Sequence, residues 1–186
     1  MTIRAFYDRW PQYDRRLREV ISPLTEEHLA LRASAEHWPI WAIVGHLAAT
    51  RVYWLCRVAG EPGAESTPWA NPDDEGWEDD LSRPRSASEL VGALQATFAI
   101  IEHALDTWEP EDLSETFERR YLETVQHHSR ASILQRLLTH DAYHDGELAI
   151  ALGSHGLEPV YIWRPYESEE RQADASGDTP SLRRRG

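Results

Sequence analysis

Residues 130–153 read RASILQRLLTHDAYHDGELAIALG. Ile133, Leu137, Leu148 and Ala151 fall on one stripe of a helical wheel, which predicts a helix over about 130–152. Ser129 is a suitable N-cap, and Gly153 a suitable terminator. His140 and His144 lie on the same stripe. Four residues apart on a helix, they differ by about 40° of rotation and roughly 6 Å of rise. Both imidazoles therefore face whatever covers the apolar stripe, where a polar ring needs a partner. On spacing alone two readings stand side by side. The pair sits at an edge and bonds to water or carboxylates, or it converges on one metal ion.

Three more segments carry helical periodicity. The first spans about 2–22, with Pro11 either kinking it or lying in the first turn of a helix that starts late. The second spans about 38–59 and stops at Gly60; the third spans about 87–108, with Ser86 and Glu89 at capping-box spacing. Residues 24–30, LTEEHLA, add a short turn capped by Thr25. No strand ladder is legible; PVYIW at 159–163 is either one short strand or a segment packed across the helices. The fold expected is all-α, a four-helix bundle occupying 1–166, followed by a polar tail at 167–186 that lacks the apolar content to order itself. The crossover from the second to the third helix, about 61–86, is long enough to run back along a helix of roughly 30 Å. Parallel second and third helices then give up-down-down-up order.

The chain has 186 residues, a net charge of −13 and a single cysteine, Cys56, so no intrachain disulfide can form. That fits a reducing compartment and a cytoplasmic location. An acidic surface repels phosphate backbones, so no nucleic-acid partner is expected. No apolar run approaches the roughly 20 residues that span a bilayer, and residues 1–20 lack a signal-peptide pattern.

A metal held by protein side chains needs more than two ligands. His46, in AIVGHLAATRVYW on the flank of the second helix, is the best third donor. Glu147 is a competitor, or an acceptor for the outer N–H of a ligating histidine. Glu147 and Asp141 are the carboxylates that could act as a general base. His103 falls opposite its helix's stripe and should be exposed; His127 and His128 precede the last helix and could line the mouth of a site. Cys56 reads as a packing residue. No Ser/His/Asp, phosphate-loop, dinucleotide or C-x-x-C pattern is present.

Three stretches carry a resemblance: RWPQYDRRLREVISPLTEEHLALRASAEHWPI at 9–40, IVGHLAATRVYWL at 43–55 and LLTHDAYHDGELAIALG at 137–153. Together they resemble the DinB-like and YfiT-like four-helix-bundle metalloproteins, over roughly residues 3–155. The resemblance implies an up-down-down-up bundle and a divalent metal on His46, His140 and His144; imidazole ligands suit zinc, nickel, iron and copper, and zinc or nickel is favoured. The resemblance implies a homodimer as well. Family members include transferases and an isomerase that use low-molecular-weight thiols such as bacillithiol, mycothiol or glutathione. Others are described as metal-dependent hydrolases or damage-inducible proteins. The expectation is thus a metal-dependent thiol S-transferase acting on a small electrophilic substrate. The alternatives are a hydrolase using metal-activated water and a non-catalytic metal-binding stress protein. The loop 61–86, with Trp69, Trp77 and six acidic residues between 73 and 80, reads most simply as a solvated crossover. Overhang of the metal site and a dimer contact are its other readings.

Overall fold

A computed structural model describes residues 1–71 and 73–163. The tail expected at 167–186, and the domain end placed at 166, lie outside the described residues. Among those described, the chain is mostly helical, with five α-helices and one two-stranded sheet. The α-helices are α1 (Trp10–Ile21), α2 (Glu26–Leu29), α3 (Ile40–Val52), α4 (Ala87–Thr107) and α5 (Arg130–Ser154).

Local chemistry explains most of the boundaries. Residues Ile3–Phe6 form a separate 3-10 turn, and α1 starts late with Pro11 in its first turn. There proline's missing N–H costs no intrahelical bond. Thr25 caps α2, and Ser86 with Glu89 forms the capping box of α4. Ser129 caps α5 through the Ser132 N–H. That helix runs past Gly153 to Ser154, and the glycine in the left-handed conformation beyond it is Gly156, at φ 73°.

Helix α3 departs from the one-sided pattern expected. Ten of its thirteen residues are buried, so it is enclosed on nearly every side, as an apolar helix must be. It packs against α2, α4 and α5. Its continuation, Tyr53–Val58, widens into a π-helical turn before Gly60 at φ 75° ends it.

Residues 116–129, read from sequence as irregular, form a hairpin. Strand β1 (Thr116–Tyr121) pairs antiparallel with β2 (Thr124–Ser129), Tyr121 opposite Thr124. Its turn carries Leu122 at φ 53° in place of the usual Asn-Gly or Asp-Gly signal. Its strands bury no continuous apolar face, so the period-two pattern is missing too. Residues 159–163 form no strand. They lie across α1, where Arg16 donates to the Tyr161 carbonyl at 3.1 Å and Tyr13 meets Trp163 at 5.6 Å between rings. Among the described residues no helix is long and apolar enough to cross a membrane.

One charged cluster runs through the core. Arg51 of α3 is 1 % exposed and donates to Asp14 of α1 at 2.8 Å and to Asp141 of α5 at 2.9 Å. It also reaches the Leu94 carbonyl of α4 at 3.4 Å. Arg18 completes Asp14 at 2.8 Å, and the Trp10 indole donates to the same Asp141 oxygen as Arg51, at 3.0 Å. Burial alone would lower the Arg51 pKa, but the charges of Asp141 and Asp14 hold it above its ordinary value. Burial, with Asp141 close by, pushes Asp145 up to about 8. With that carboxyl neutral, two arginines balance two carboxylates. Removing one member of such a cluster strands the others. Arg51→Met is expected to lower stability by about 3–5 kcal/mol in urea unfolding, because Asp141 keeps its burial and loses its counter-charge while Asp14 is left with Arg18 alone. A loss below about 1 kcal/mol would show that the cluster is not what ties these helices together.

Candidate metal centre

Helices α3 and α5 bring together three imidazoles that are 94 and 98 positions apart in sequence. His46 projects from α3; His140 and His144 project from α5, one turn apart. One ligand atom from each lies within 4.8 Å of the others. The closest pair is His46 Nε2 and His140 Nε2, at 3.0 Å. The ring centroids are 4.5–5.1 Å apart.

Two of the rings are oriented from behind. His46 Nδ1 is 2.5 Å from Glu78 Oε1, and His144 Nδ1 is 2.8 Å from Glu147 Oε2. An ionised carboxylate only accepts, so each Nδ1 carries the proton and each Nε2 keeps its lone pair. That is the tautomer a ligating histidine adopts when a carboxylate supports it. His140 Nδ1 is buried with no partner among the described residues. Burial first, then the charges of His144 and His46, push the His140 pKa down to about 3. Burial lowers His144 as well, against the opposing hydrogen bond from Glu147. Both rings of α5 are thus neutral imidazoles at neutral pH, the form that binds metal. Converging lone pairs, supporting carboxylates and an interior that disfavours protonation together fit a divalent cation. His46, His140 and His144 could hold one.

The other expected residues are placed as follows. Glu147 stands behind His144 as its acceptor. Asp141 is turned away into the core cluster, where Arg51 and Trp10 both bond to Oδ2, so it does not reach the imidazoles as a base. His103 and His127 are exposed; His128 packs on the Trp54 ring at 4.8 Å. Cys56 is half-buried, and burial raises its thiol pKa.

Glu78 was not legible as a site residue, since it sits in an acidic run that reads as solvated. The loop 61–86 folds over the centre. Trp69 is buried, its ring 4.8 Å from that of Trp77, and Arg57 donates to its carbonyl at 2.7 Å. Trp77 lies on Gly45, one residue before His46. A Cβ at Gly45 would stand 3.0 Å from Trp77 Cβ. The missing side chain lets the loop approach, and Glu78 follows Trp77 directly onto His46. Gly45-His46 and Trp77-Glu78 were the available sequence signals, but nothing in either says they meet.

A cavity of about 620 Å³ opens beside His46 and His140, between the π-helical turn, the loop and the hairpin. Tyr53, Trp54 and Trp69 give it aromatic walls.

Comparison with known proteins agrees with this architecture. The family model of the DinB superfamily matches residues 12–148. The chain belongs to the DinB superfamily. A crystal structure of a DinB-like protein from Bacillus cereus ATCC 10987 matches with a TM-score of 0.62 and 20 % identity, covering 89 % of this chain and 98 % of that one. That likeness is one of fold. No curated protein matches the sequence.

The carboxylates behind the rings make a direct prediction. Glu78→Gln is expected to weaken zinc binding by roughly 10–100-fold in competition with a chelating dye, while His144→Ala abolishes it. Equal affinity for wild type and Glu78→Gln would remove the supporting role assigned to Glu78.

Proposed function

We propose that this DinB-superfamily chain is a metal-dependent enzyme that transfers the sulfur of a small thiol to an electrophilic substrate. The observation that carries the reading is three convergent imidazoles, two of which, His46 and His140, line a 620 Å³ cavity whose carboxylates are already engaged. A divalent metal on His46, His140 and His144, with zinc or nickel favoured, would supply Lewis acidity that eases deprotonation of a thiol. The chain's own groups do the remainder. Glu78 and Glu147 fix two of the rings, and Trp38, 5.2 Å from His46 between ring centroids, shields the centre. The cavity seats the electrophile. A sulfur–carbon bond forms as the bond to the leaving group breaks; the leaving group takes the electron pair and the thiol proton goes to solvent.

Two features favour a borrowed thiol over water. Cys56, the chain's one thiol, is kept protonated by burial, so it offers little nucleophile. Hydrolysis needs a free base beside the metal. Yet Asp141 is bound by Arg51 and Trp10, Glu147 by His144 and Glu78 by His46. We also propose that the four longer helices form the up-down-down-up bundle expected from the crossover length, and that the protein works as a homodimer.

The test is conjugation of a chromogenic electrophile with a panel of low-molecular-weight thiols. Zinc- or nickel-loaded protein is expected to accelerate the reaction with at least one thiol, and His140→Ala to lose that rate. Turnover of esters or amides with no metal-dependent thiol transfer would favour the hydrolase instead.

A further inference from the structure

In a chain with 32 acidic residues, arginines usually find a carboxylate. Three that line the cavity, Arg57, Arg119 and Arg136, do not, and two of them share one ring. Arg119 of β1 and Arg136 of α5 both line it and both face the same indole, with guanidinium carbons 5.0 and 4.6 Å from the Trp54 ring centroid. Arg119 donates to Tyr53 Oη at 2.7 Å and to Gln126 Oε1 at 3.1 Å, both neutral acceptors. Arg136 is exposed and has no hydrogen-bond or ion-pair partner among the described residues. The cavity's carboxylates, Asp74 and Glu78, belong to the loop, and each is committed there. Asp74 accepts from the Asn71 N–H at 3.1 Å, and Glu78 holds His46. Arg57, the third arginine of the wall, is tied to the loop by its Nη2, which donates to the carbonyls of Trp69 and Ala70.

Two like charges gathered on one indole beside a cavity create a local positive field. Burial, and after it the same charges, hold the His128 pKa below its ordinary value. Guanidinium forks match carboxylates in shape as well as charge. Arg136 is also one helical turn from His140 on α5, so the positive wall adjoins the imidazoles.

We propose that Arg119 and Arg136 form an anchoring subsite for a dicarboxylate, holding the two carboxylates of a small molecule in the cavity that Tyr53 and Trp54 line. The molecule's other end then points towards His46 and His140. The class of molecule rests on the transfer reading only for which end reacts; the anchoring itself depends on the arginines alone.

The probe is phenylsuccinate, with phenylsuccinamide as its neutral counterpart, titrated calorimetrically into full-length protein stripped of metal by chelation. The dianion is expected to bind one site roughly tenfold or more tighter than the diamide. Arg136→Gln and Arg119→Gln should each weaken the dianion by roughly fivefold or more, whereas Arg120→Gln, the exposed neighbour on β1, changes nothing. Since Arg136 is exposed, its variant keeps the test alive if Arg119→Gln fails to fold. Equal binding of dianion and diamide, no binding, or an equal loss in Arg120→Gln would overturn the subsite. So would binding that requires zinc, which would mark the carboxylates as metal ligands. Binding that survives in His144→Ala while thiol transfer is absent from the wild type would keep the subsite and remove the transfer reading.

Discussion

Arg51 is the side chain on which the rest of the structure depends. It lies in the last turn of the most enclosed helix and touches α1, α4 and α5 from there. A guanidinium in that position is costly to desolvate, and only well-placed carboxylates offset the cost. Asp14 and Asp141 satisfy that need from two different helices. The requirement fixes rotation and height as apolar contacts cannot, since leucine against leucine tolerates sliding. Once Asp141 is drawn to Arg51, His140 and His144 on the same helix are set at a definite angle to α3.

The metal centre inherits that alignment. His46 precedes Arg51 by five residues and meets the α5 histidines beside the charged cluster. The second constraint is Gly45, which leaves space for Trp77 and so brings Glu78 onto His46. The loop is therefore part of the site. Trp69, Trp77 and Arg57 hold it down with aromatic and carbonyl contacts, and Asp73, Asp74, Glu75, Asp79 and Asp80 face solvent around them. The α5 imidazoles, His140 and His144, stay neutral because they are buried, and the tautomers of His46 and His144 are set by two carboxylates from separate elements.

The sequence was informative where the signal is local. Capping residues marked the starts of α2, α4 and α5, and the i, i+4 histidines declared one face of α5. It was misleading where the signal is conditional. Gly153 has the composition of a helix stop, but a glycine stops a helix only where no further bonds form, and α5 continues to Ser154. The hairpin at 116–129 was hidden because Leu122 occupies a left-handed position without glycine or asparagine, and because its strands bury no continuous apolar face. Asp141 looked like a base beside a histidine. One residue along a helix is a turn of about 100°, and that rotation aims it at Arg51 instead.

The sequence by itself determined the helices, the histidine donors and the family to which the chain belongs, because periodicity, capping and i, i+4 spacing act over a few residues. Tertiary structure alone decided that Glu78 supports His46, that Asp141 serves Arg51, and that two unpaired arginines share Trp54. Each of these pairs residues from separate elements. Their meeting depends on packing distances and rotations that no local pattern encodes.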